Sequence, residues 1–251
     1  MKNLAKRIVR PLVRRLGYDV VAYSPEKLGV DPLADTRNFL KGISSPTLFD
    51  VGANTGQTAI RFVRNYPTAM IHSFEPSPTT FRELEANCLP YPRVKCWNLG
   101  VGCADAVLTF LENDHSDMSS FLAPGDSCWG KVDRRTDVPV VSLDSFAARQ
   151  GINYIHLLKS DTQGFDFEVL KGAQRLMQEK RIGLIYFEFI FSDMYKDLPA
   201  FDQVFRYLTD HGFALVTFYD FHFQRDLASW TDALFISRDF HAKRLSGESS
   251  A

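Results

Sequence analysis

The sequence has almost no excess charge of either sign. Its 251 residues include 29 Lys and Arg against 30 Asp and Glu, so the formal net charge at pH 7 is −1. A protein that binds nucleic acid without specific contacts relies on a strongly basic surface, which this balance does not supply. We therefore expect no nucleic-acid partner.

Long hydrophobic runs and paired cysteines are missing as well. The best candidate for a membrane span, residues 182–191, is short and is interrupted by Glu188. A membrane-spanning helix needs about 20 predominantly apolar residues. The four cysteines form no C-x-x-C pair, and the N-terminal residues have no continuous apolar core of the kind found in secretory signals. These absences predict a cytoplasmic protein with reduced thiols.

The N-terminal segment differs from the rest of the chain. Residues 1–16 carry six Lys or Arg and no acid, with apolar residues at a spacing of four. This pattern predicts a basic amphipathic helix, which fits peripheral contact with an inner membrane surface or packing on the domain or a partner subunit. Residues 17–45 predict an irregular lead-in, residues 46–240 one α/β domain, and residues 241–251 a polar tail.

The most informative stretch present is residues 48–57. An apolar strand ends near Asp50, Gly52 and Gly56 follow, and a helical pattern begins at once. The spacing matches neither the G-x-G-x-x-G of a dinucleotide fold nor a P-loop, because a third glycine and a following lysine are absent. An acid beside a glycine loop suits a ligand with a positive end, such as the amino-acid part of S-adenosylmethionine. The alternative is an ordinary tight turn between a strand and a helix.

A second strand, residues 70–74, ends at Glu75 about one βαβ unit later. A carboxylate in this position can accept hydrogen bonds from both ribose hydroxyls of a nucleoside. Residues 93–98 predict a third strand, which places Asn98 and Val101 near the base. Together these features favour a nucleoside site at the carboxyl ends of the strands.

Further polar residues follow later predicted strands. Asp161 ends a buried strand, and Glu188 lies near the end of another. Residues 113–135 form a long polar segment, which predicts a lid or a binding loop. Residues 220–231, with His222, lie at the same edge of the sheet if the preceding strand is parallel. These residues are candidates for the substrate side of the site.

Three segments carry a resemblance to a known family, the FkbM family of S-adenosylmethionine-dependent methyltransferases. They are Val51-Gly-Ala-Asn-Thr-Gly56, Phe74-Glu-Pro76, and Leu158-Lys-Ser-Asp-Thr-Gln-Gly164 running on to Glu168-Val-Leu-Lys-Gly-Ala173. Asp232-Ala-Leu-Phe235 also resembles the family's last strand. The sequence departs from the pattern at Ser160, where the family more often has an apolar residue. It also leaves open whether Asp166 or Glu168 represents the acid that follows Gly164.

The resemblance implies a Rossmann-like, doubly wound α/β fold. Its seven-stranded sheet is mostly parallel with an antiparallel last strand, and helices cover both faces. The implied cofactor is S-adenosyl-L-methionine, and the implied reaction is O-methylation of a sugar, glycan or natural-product hydroxyl. Carried over by position, the cofactor-binding residues are Asp50, Gly52, Asn54, Gly56, Glu75, Asn98 and Val101.

A sugar hydroxyl is a poor nucleophile and gains from a general base. Asp161 is the first candidate for this base, followed by His222 and Glu188. Asp161 also fits binding of the cofactor's amino group or of a metal, but no compact metal-ligand motif is visible, so no metal is predicted. Two other functions stay open, an NAD-dependent oxidoreductase or epimerase and a non-catalytic nucleotide-binding module of methyltransferase fold. The missing third glycine disfavours the first, and the acids at three strand ends disfavour the second.

Overall fold

The computed structural model of the protein describes residues 11, 13–18 and 27–247. The predicted basic helix over residues 1–16 lies mostly outside these residues, and it stays a prediction. Over the ranges that are described, none of the helices combines the length and the apolar character needed to cross a bilayer.

Strands and helices alternate through most of the chain. The strands are β1 Thr47–Val51, β2 Met70–Phe74, β3 Val94–Trp97, β4 Gly100–Val101, β5 Ala106–Asn113, β6 Val132–Val141, β7 Ile155–Ser160, β8 Ile182–Ile190, β9 Phe213–Gln224 and β10 Leu227–Ser237. The helices are α1 Pro32–Leu40, α2 Gln57–Asn65, α3 Pro78–Cys88, α4 Leu143–Gln150, α5 Asp166–Lys171, α6 Gln174–Gln178, α7 Phe201–Asp210 and α8 Arg238–Ser246, with a 3₁₀ turn at Ser116–Met118.

The main sheet has seven strands in the order β3-β2-β1-β7-β8-β10-β9. The first five strands of this order, β3, β2, β1, β7 and β8, pair in parallel. Strand β10 is antiparallel to both of its neighbours, β8 and β9. The predicted doubly wound sheet with an antiparallel last strand is confirmed. Because β1, β2, β7, β8 and β9 run in the same direction, their carboxyl ends meet at one edge, where open α/β sheets bind ligands.

Helices cover both faces of this sheet, as predicted. One face packs against α4, α5, α6 and α7. The other face packs against α1, α2, α3 and α8. Strand β1 shows how the sequence achieves this, because successive side chains of a strand point to opposite faces. Phe49 is fully buried on the face covered by α4 to α7, and Leu48 is fully buried on the face covered by α1, α2, α3 and α8.

A second, three-stranded sheet lies beside the main one, in the order β4-β6-β5. Its core is the antiparallel pair β5 and β6, which holds the ends of the long polar segment together. The prediction that residues 113–135 form a loop is therefore wrong for its last residues, since β6 begins at Val132. Residues 132–137 are mostly polar and charged, so this part of the strand has the composition of a loop.

Two predictions about the ends of the domain are also wrong. Part of the expected irregular lead-in forms α1, which begins at an Asp31 cap followed by Pro32, a combination typical of helix starts. Part of the expected polar tail forms α8, whose Phe240 is buried and whose Arg244 donates to the carbonyls of Asn38 and Lys41. The proposed domain boundaries stay a prediction.

Candidate active site

The glycine loop after β1 has an unusual backbone. Gly52, Asn54 and Gly56 all have positive φ, of 72°, 48° and 96°. A Cβ added to Gly52 would lie 1.9 Å from the backbone oxygen of Asp161. Only glycine permits this approach. The loop after β1 and the loop after β7 are thus in backbone contact, and both border the same cleft.

Gly56 lies on the side of the loop that faces α3. It is the residue before α2, and an added Cβ would lie 3.0 Å from Leu84 Cδ1 and 3.1 Å from Cys88 Sγ. This glycine therefore lets α3 pack tightly under the loop. It does not line the cleft.

Glu75 holds the glycine loop to the end of β2. Its Oε2 accepts from the backbone N–H of Asn54 at 3.0 Å, and its Oε1 accepts from that of Ser77 at 2.9 Å. Burial raises the pKa of Glu75 to about 7, although these two hydrogen bonds oppose the shift. The Asn98 side chain donates to the carbonyls of Glu75 and Pro76 at 2.8 and 3.0 Å. Asn98 therefore fixes the turn that presents Glu75 and does not itself line the cleft.

Asp50 is fully buried and forms an ion pair with Lys159, at 3.1 Å between Oδ1 and Nζ. Lys159 also donates to the backbone oxygens of Val51 and Gly52 at 3.4 and 3.1 Å. Burial raises the pKa of Asp50, against the lowering effect of Lys159. Burial alone would lower the pKa of Lys159, but Asp50 and Asp161 raise it above its ordinary value. Asp50 therefore supports the loop through Lys159, a residue that the sequence did not single out.

These loops enclose a cleft of about 590 Å³ of empty space, counting the part that is open to solvent. One end is apolar, with Val101 and the rings of Phe110 and Phe121, whose centroids are 4.9 Å apart. Val101 thus lines the cleft, and its predicted contact with the base stays a prediction. Phe110 and Phe121 carried no sequence signal, because a lone aromatic residue in a strand or loop is usually core.

The other end of the cleft is polar, with Gly52, Asn54, Glu75 and Asp161 in its wall. The 3₁₀ turn covers it, and the Asn54 side chain donates to Ser116 Oγ at 3.3 Å. Part of the long polar segment therefore lies over the cleft. The residues of this segment that line the cleft are Ser116, Asp117 and Ser119, and His115 is not among them.

Asp161 stands at the edge of this cleft with a side chain that is 46% exposed. Its Oδ1 accepts from the Gln163 side chain at 3.0 Å, and its Oδ2 lies 3.6 Å from Lys159 Nζ. These two partners leave other acceptor positions of the carboxylate unused, since a carboxylate offers about four. Asp161 is therefore an accessible carboxylate in the wall of the cleft.

Asp166 organises the loop that carries Asp161. It is buried, and it accepts from Ser160 Oγ and from the backbone N–H of Thr162. Burial raises the pKa of Asp166 to about 6. This pairing explains Ser160, since a polar residue here satisfies a buried carboxyl. Glu168 instead pairs with Lys171 on the helix surface.

Glu188 lies deeper at the same edge, opposite Asp232 in the pairing of β8 with β10. Its Oε2 is buried and has no hydrogen-bond partner among the residues described. Burial, reinforced by Asp161, Asp166 and Asp232, raises the pKa of Glu188 well above its ordinary value. Burial therefore favours the neutral form of Glu188 more than that of an exposed carboxyl group, and its predicted role as a base stays a prediction.

His222 is brought to the same edge but not to the cleft. It is exposed and stacks on Trp230, with ring centroids 4.6 Å apart and an interplanar angle of 6°. Trp230 in turn contacts Trp129, at 5.9 Å between centroids. His222 does not line the cleft between the glycine loop and Asp161. Its predicted catalytic role stays a prediction.

Among the described residues, no group of three or more His, Cys, Asp or Glu side chains could hold a metal ion. The site therefore consists of a glycine loop, strand-end acids and an apolar pocket on a doubly wound sheet. This combination defines a protein of the S-adenosylmethionine-dependent methyltransferase class. The chain belongs to the FkbM family within that class, because the family's Methyltransferase FkbM domain matches residues 50–215.

Two proteins that are similar to this chain are methyltransferases by name. The chain is 24% identical over 180 residues to the 2-O-methyltransferase NoeI of Sinorhizobium fredii, covering 63% of this chain and 73% of that protein. It is 29% identical over 158 residues to methyltransferase sdnD of Sordaria araneosa, covering 52% of this chain and 61% of that protein. Among solved structures, a precorrin-6y C5,15-methyltransferase from Geobacter metallireducens has a TM-score of 0.46 at 12% identity, over 81% of this chain and 86% of that one.

The residues of the cleft fit S-adenosylmethionine. Gly52 removes the Cβ that would otherwise separate the two loops, Glu75 presents a carboxyl group to the polar end, and Val101 lies at the apolar end. These features would accommodate the amino acid, the ribose and the adenine in that order along the strand ends. The chain is an S-adenosylmethionine-dependent methyltransferase.

Proposed function

We propose that this protein transfers the methyl group of S-adenosylmethionine to a hydroxyl oxygen of a small-molecule acceptor, which is a sugar, glycan or natural product. The observation that carries the proposal is the half-exposed Asp161 carboxylate at the polar end of the cleft. A hydroxyl needs a proton acceptor as it attacks, whereas an amine does not need one to the same degree. The name of one relative, a 2-O-methyltransferase, also supports transfer to oxygen.

When bound, the cofactor supplies an activated methyl group on a sulfonium. The residues around the cleft have different roles in the transfer. Gly52 and Glu75 would hold the cofactor, and Asp161 would accept the proton of the acceptor hydroxyl as its oxygen takes the methyl group and the sulfur leaves as a neutral thioether. Lys159 and Gln163 hold the Asp161 carboxylate in place. Positioning of the two reactants supplies much of the rate, because the sulfonium is already reactive.

The test begins with calorimetric titration of the purified full chain with S-adenosylmethionine and S-adenosylhomocysteine, with NAD as the control. A panel of hydroxyl acceptors is then incubated with methyl-labelled cofactor. We expect Asp161→Asn to keep its affinity for S-adenosylhomocysteine within about threefold and to lose roughly 10²- to 10⁴-fold in methyl transfer, the usual contribution of a general base.

Glu168→Gln is the matched control, because it changes a carboxylate on the following helix that pairs with Lys171. It should retain the activity of the unmodified protein. Tight binding of NAD alone, or methyl transfer to nitrogen or carbon acceptors only, would contradict the proposal. Cofactor binding without turnover of any acceptor would instead indicate a non-catalytic binding module.

A further inference from the structure

A second cleft lies on the other side of Asp161. It holds about 750 Å³ of empty space, counting the part that is open to solvent, and it is bounded by α1, α2 and the strands β7, β8 and β10. The residues that matter for its chemistry are Thr58, Arg61, Lys159, Asp161, Tyr186 and Asp232.

Asp161 lines both clefts. Methyl transfer is an in-line displacement, so the acceptor oxygen must approach the methyl carbon from the side opposite the departing sulfur. An acceptor must therefore reach the methyl carbon from a direction that the cofactor does not occupy. The second cleft provides such an approach, since it opens at the same carboxylate from the direction of α1 and α2.

The polar groups of the second cleft include both donors and acceptors. Tyr186 donates to Asp232 Oδ2 at 2.6 Å, which leaves Asp232 Oδ1 as an acceptor. Arg61 is exposed at the rim, and its guanidinium makes no hydrogen bond or ion pair with the residues described. Lys159 adds a buried positive charge that is already paired with Asp50. An anionic ligand would meet Asp161 and Asp232, and a cationic one would meet the two basic side chains.

We infer that this second cleft is the acceptor site and that it takes a neutral, polyhydroxylated molecule. Each hydroxyl of such a molecule both donates and accepts, which matches the mixture of groups around the cleft. Asp232 and Tyr186 would bind hydroxyls next to the one that is methylated, and Arg61 would bind oxygen atoms at the rim. The inference rests on the proposed hydroxyl methylation and adds to it the location and the chemistry of the acceptor.

The test uses three single variants of the full chain. Arg61→Ala and Tyr186→Phe each remove one polar group from the second cleft. Arg64→Ala is the matched control, because Arg64 is an exposed arginine on the same helix that does not line either cleft. Circular dichroism and calorimetry with S-adenosylhomocysteine show first that each variant is folded and binds the cofactor product.

The probe is a panel of methyl glycosides of neutral hexoses, measured by saturation-transfer NMR in the presence of S-adenosylhomocysteine. We expect the unmodified protein and Arg64→Ala to bind at least one glycoside. Arg61→Ala and Tyr186→Phe should weaken that binding by roughly 3- to 10-fold, the effect of losing about one hydrogen bond. All three variants should keep their affinity for S-adenosylhomocysteine within about twofold.

Three results would overturn the inference. A loss of more than about tenfold in S-adenosylhomocysteine affinity in Arg61→Ala would assign the cleft to the amino-acid end of the cofactor. Equal glycoside binding by all three variants would place the acceptor elsewhere. No glycoside binding by the unmodified protein would refute the neutral polyhydroxylated class. Failure of the proposed function is a separate result, namely methyl transfer to nitrogen or carbon acceptors alone.

Discussion

Replacing Gly52 by alanine tests whether the backbone contact between the loop after β1 and the loop after β7 shapes the cleft that would hold the cofactor. The substitution adds a single methyl group. That group would lie 1.9 Å from the oxygen and 2.9 Å from the carbon of the Asp161 carbonyl, far inside van der Waals contact. Gly52 also has a φ of 72°, which a residue with a Cβ rarely adopts. The two loops must therefore move apart or the backbone must change conformation.

The cost has two parts. Placing an alanine at positive φ costs roughly 1–2 kcal/mol. Forcing an extra carbon into packed structure costs roughly 1–3 kcal/mol more, because the neighbours here are backbone atoms that cannot rotate away. We expect the free energy of unfolding to fall by about 2–5 kcal/mol. The displaced Asp161 loop should also lower the affinity for S-adenosylhomocysteine by more than about tenfold.

Gly151 provides a matched control. It has a φ of 65° at the end of α4, and a Cβ added there would meet no atom within 4 Å. Gly151→Ala therefore carries the backbone strain without the collision. It should lose only about 1–2 kcal/mol and keep the cofactor affinity of the unmodified protein. Urea unfolding measures the first quantity and isothermal titration calorimetry the second.

The comparison separates strain from collision. If both variants lose the same stability and both bind S-adenosylhomocysteine normally, the close approach of the two loops does not control the cleft. If Gly52→Ala retains full affinity although its stability falls by several kcal/mol, the reasoning about Asp161 is refuted for binding but not for folding.

Three further predictions concern charge. Since burial raises the pKa of Glu75 to about 7 and its carboxylate form is the better acceptor for ribose hydroxyls, affinity for S-adenosylhomocysteine should rise between about pH 6 and 8, and Glu75→Gln should abolish that dependence in calorimetry. Lys159→Met should lower the unfolding free energy by about 3–5 kcal/mol because it leaves Asp50 buried and unpaired, and the double variant with Asp50→Leu should recover much of the loss in urea melts. Burial lowers the pKa of His72 and of His156 to about 4, so their folded forms resist protonation. The contribution of each neutral histidine to the free energy of unfolding is complete above about pH 6.5, and it falls by up to roughly 3 kcal/mol as the pH drops towards 4. We expect His72→Phe to lose less stability over this pH range than the unmodified protein, in an acid titration followed by circular dichroism.

Local sequence signals predicted most of the main sheet. Short apolar runs that end in Asp50, Glu75 or Asp161 identified strands, and glycines identified the turns that follow them. These signals are strong because burial on both faces requires continuous apolar residues in parallel strands. The antiparallel last strand came from the resemblance to a family, since no local pattern states which strand lies beside which.

The missed elements have weaker signals. The last residues of β6, 138–141, predict a strand, but its first part, residues 132–137, is mostly polar and charged and looks like a polar loop. The helix α1 follows several glycines and prolines, although the pair Asp31 and Pro32 was a readable start signal. Lys159 could not be found at all, because a lysine in an apolar strand gives no indication of the partner it meets across the sheet. Its partner, Asp50, is distant in sequence and adjacent only through the pairing of β1 with β7.

The acids at the carboxyl edge of the sheet are closer together than their positions in the sequence suggest, so they cannot all be ionised cheaply. The structure reduces the repulsion in two ways. It pairs Asp50 with a buried lysine, and burial raises the pKa values of Glu75, Asp166 and Glu188, which makes these groups easier to protonate than exposed carboxyl groups. Asp161 differs from these groups because its carboxylate is half-exposed and lines both clefts. This difference in exposure and position is the reason for proposing Asp161, and not its buried neighbours, as the general base.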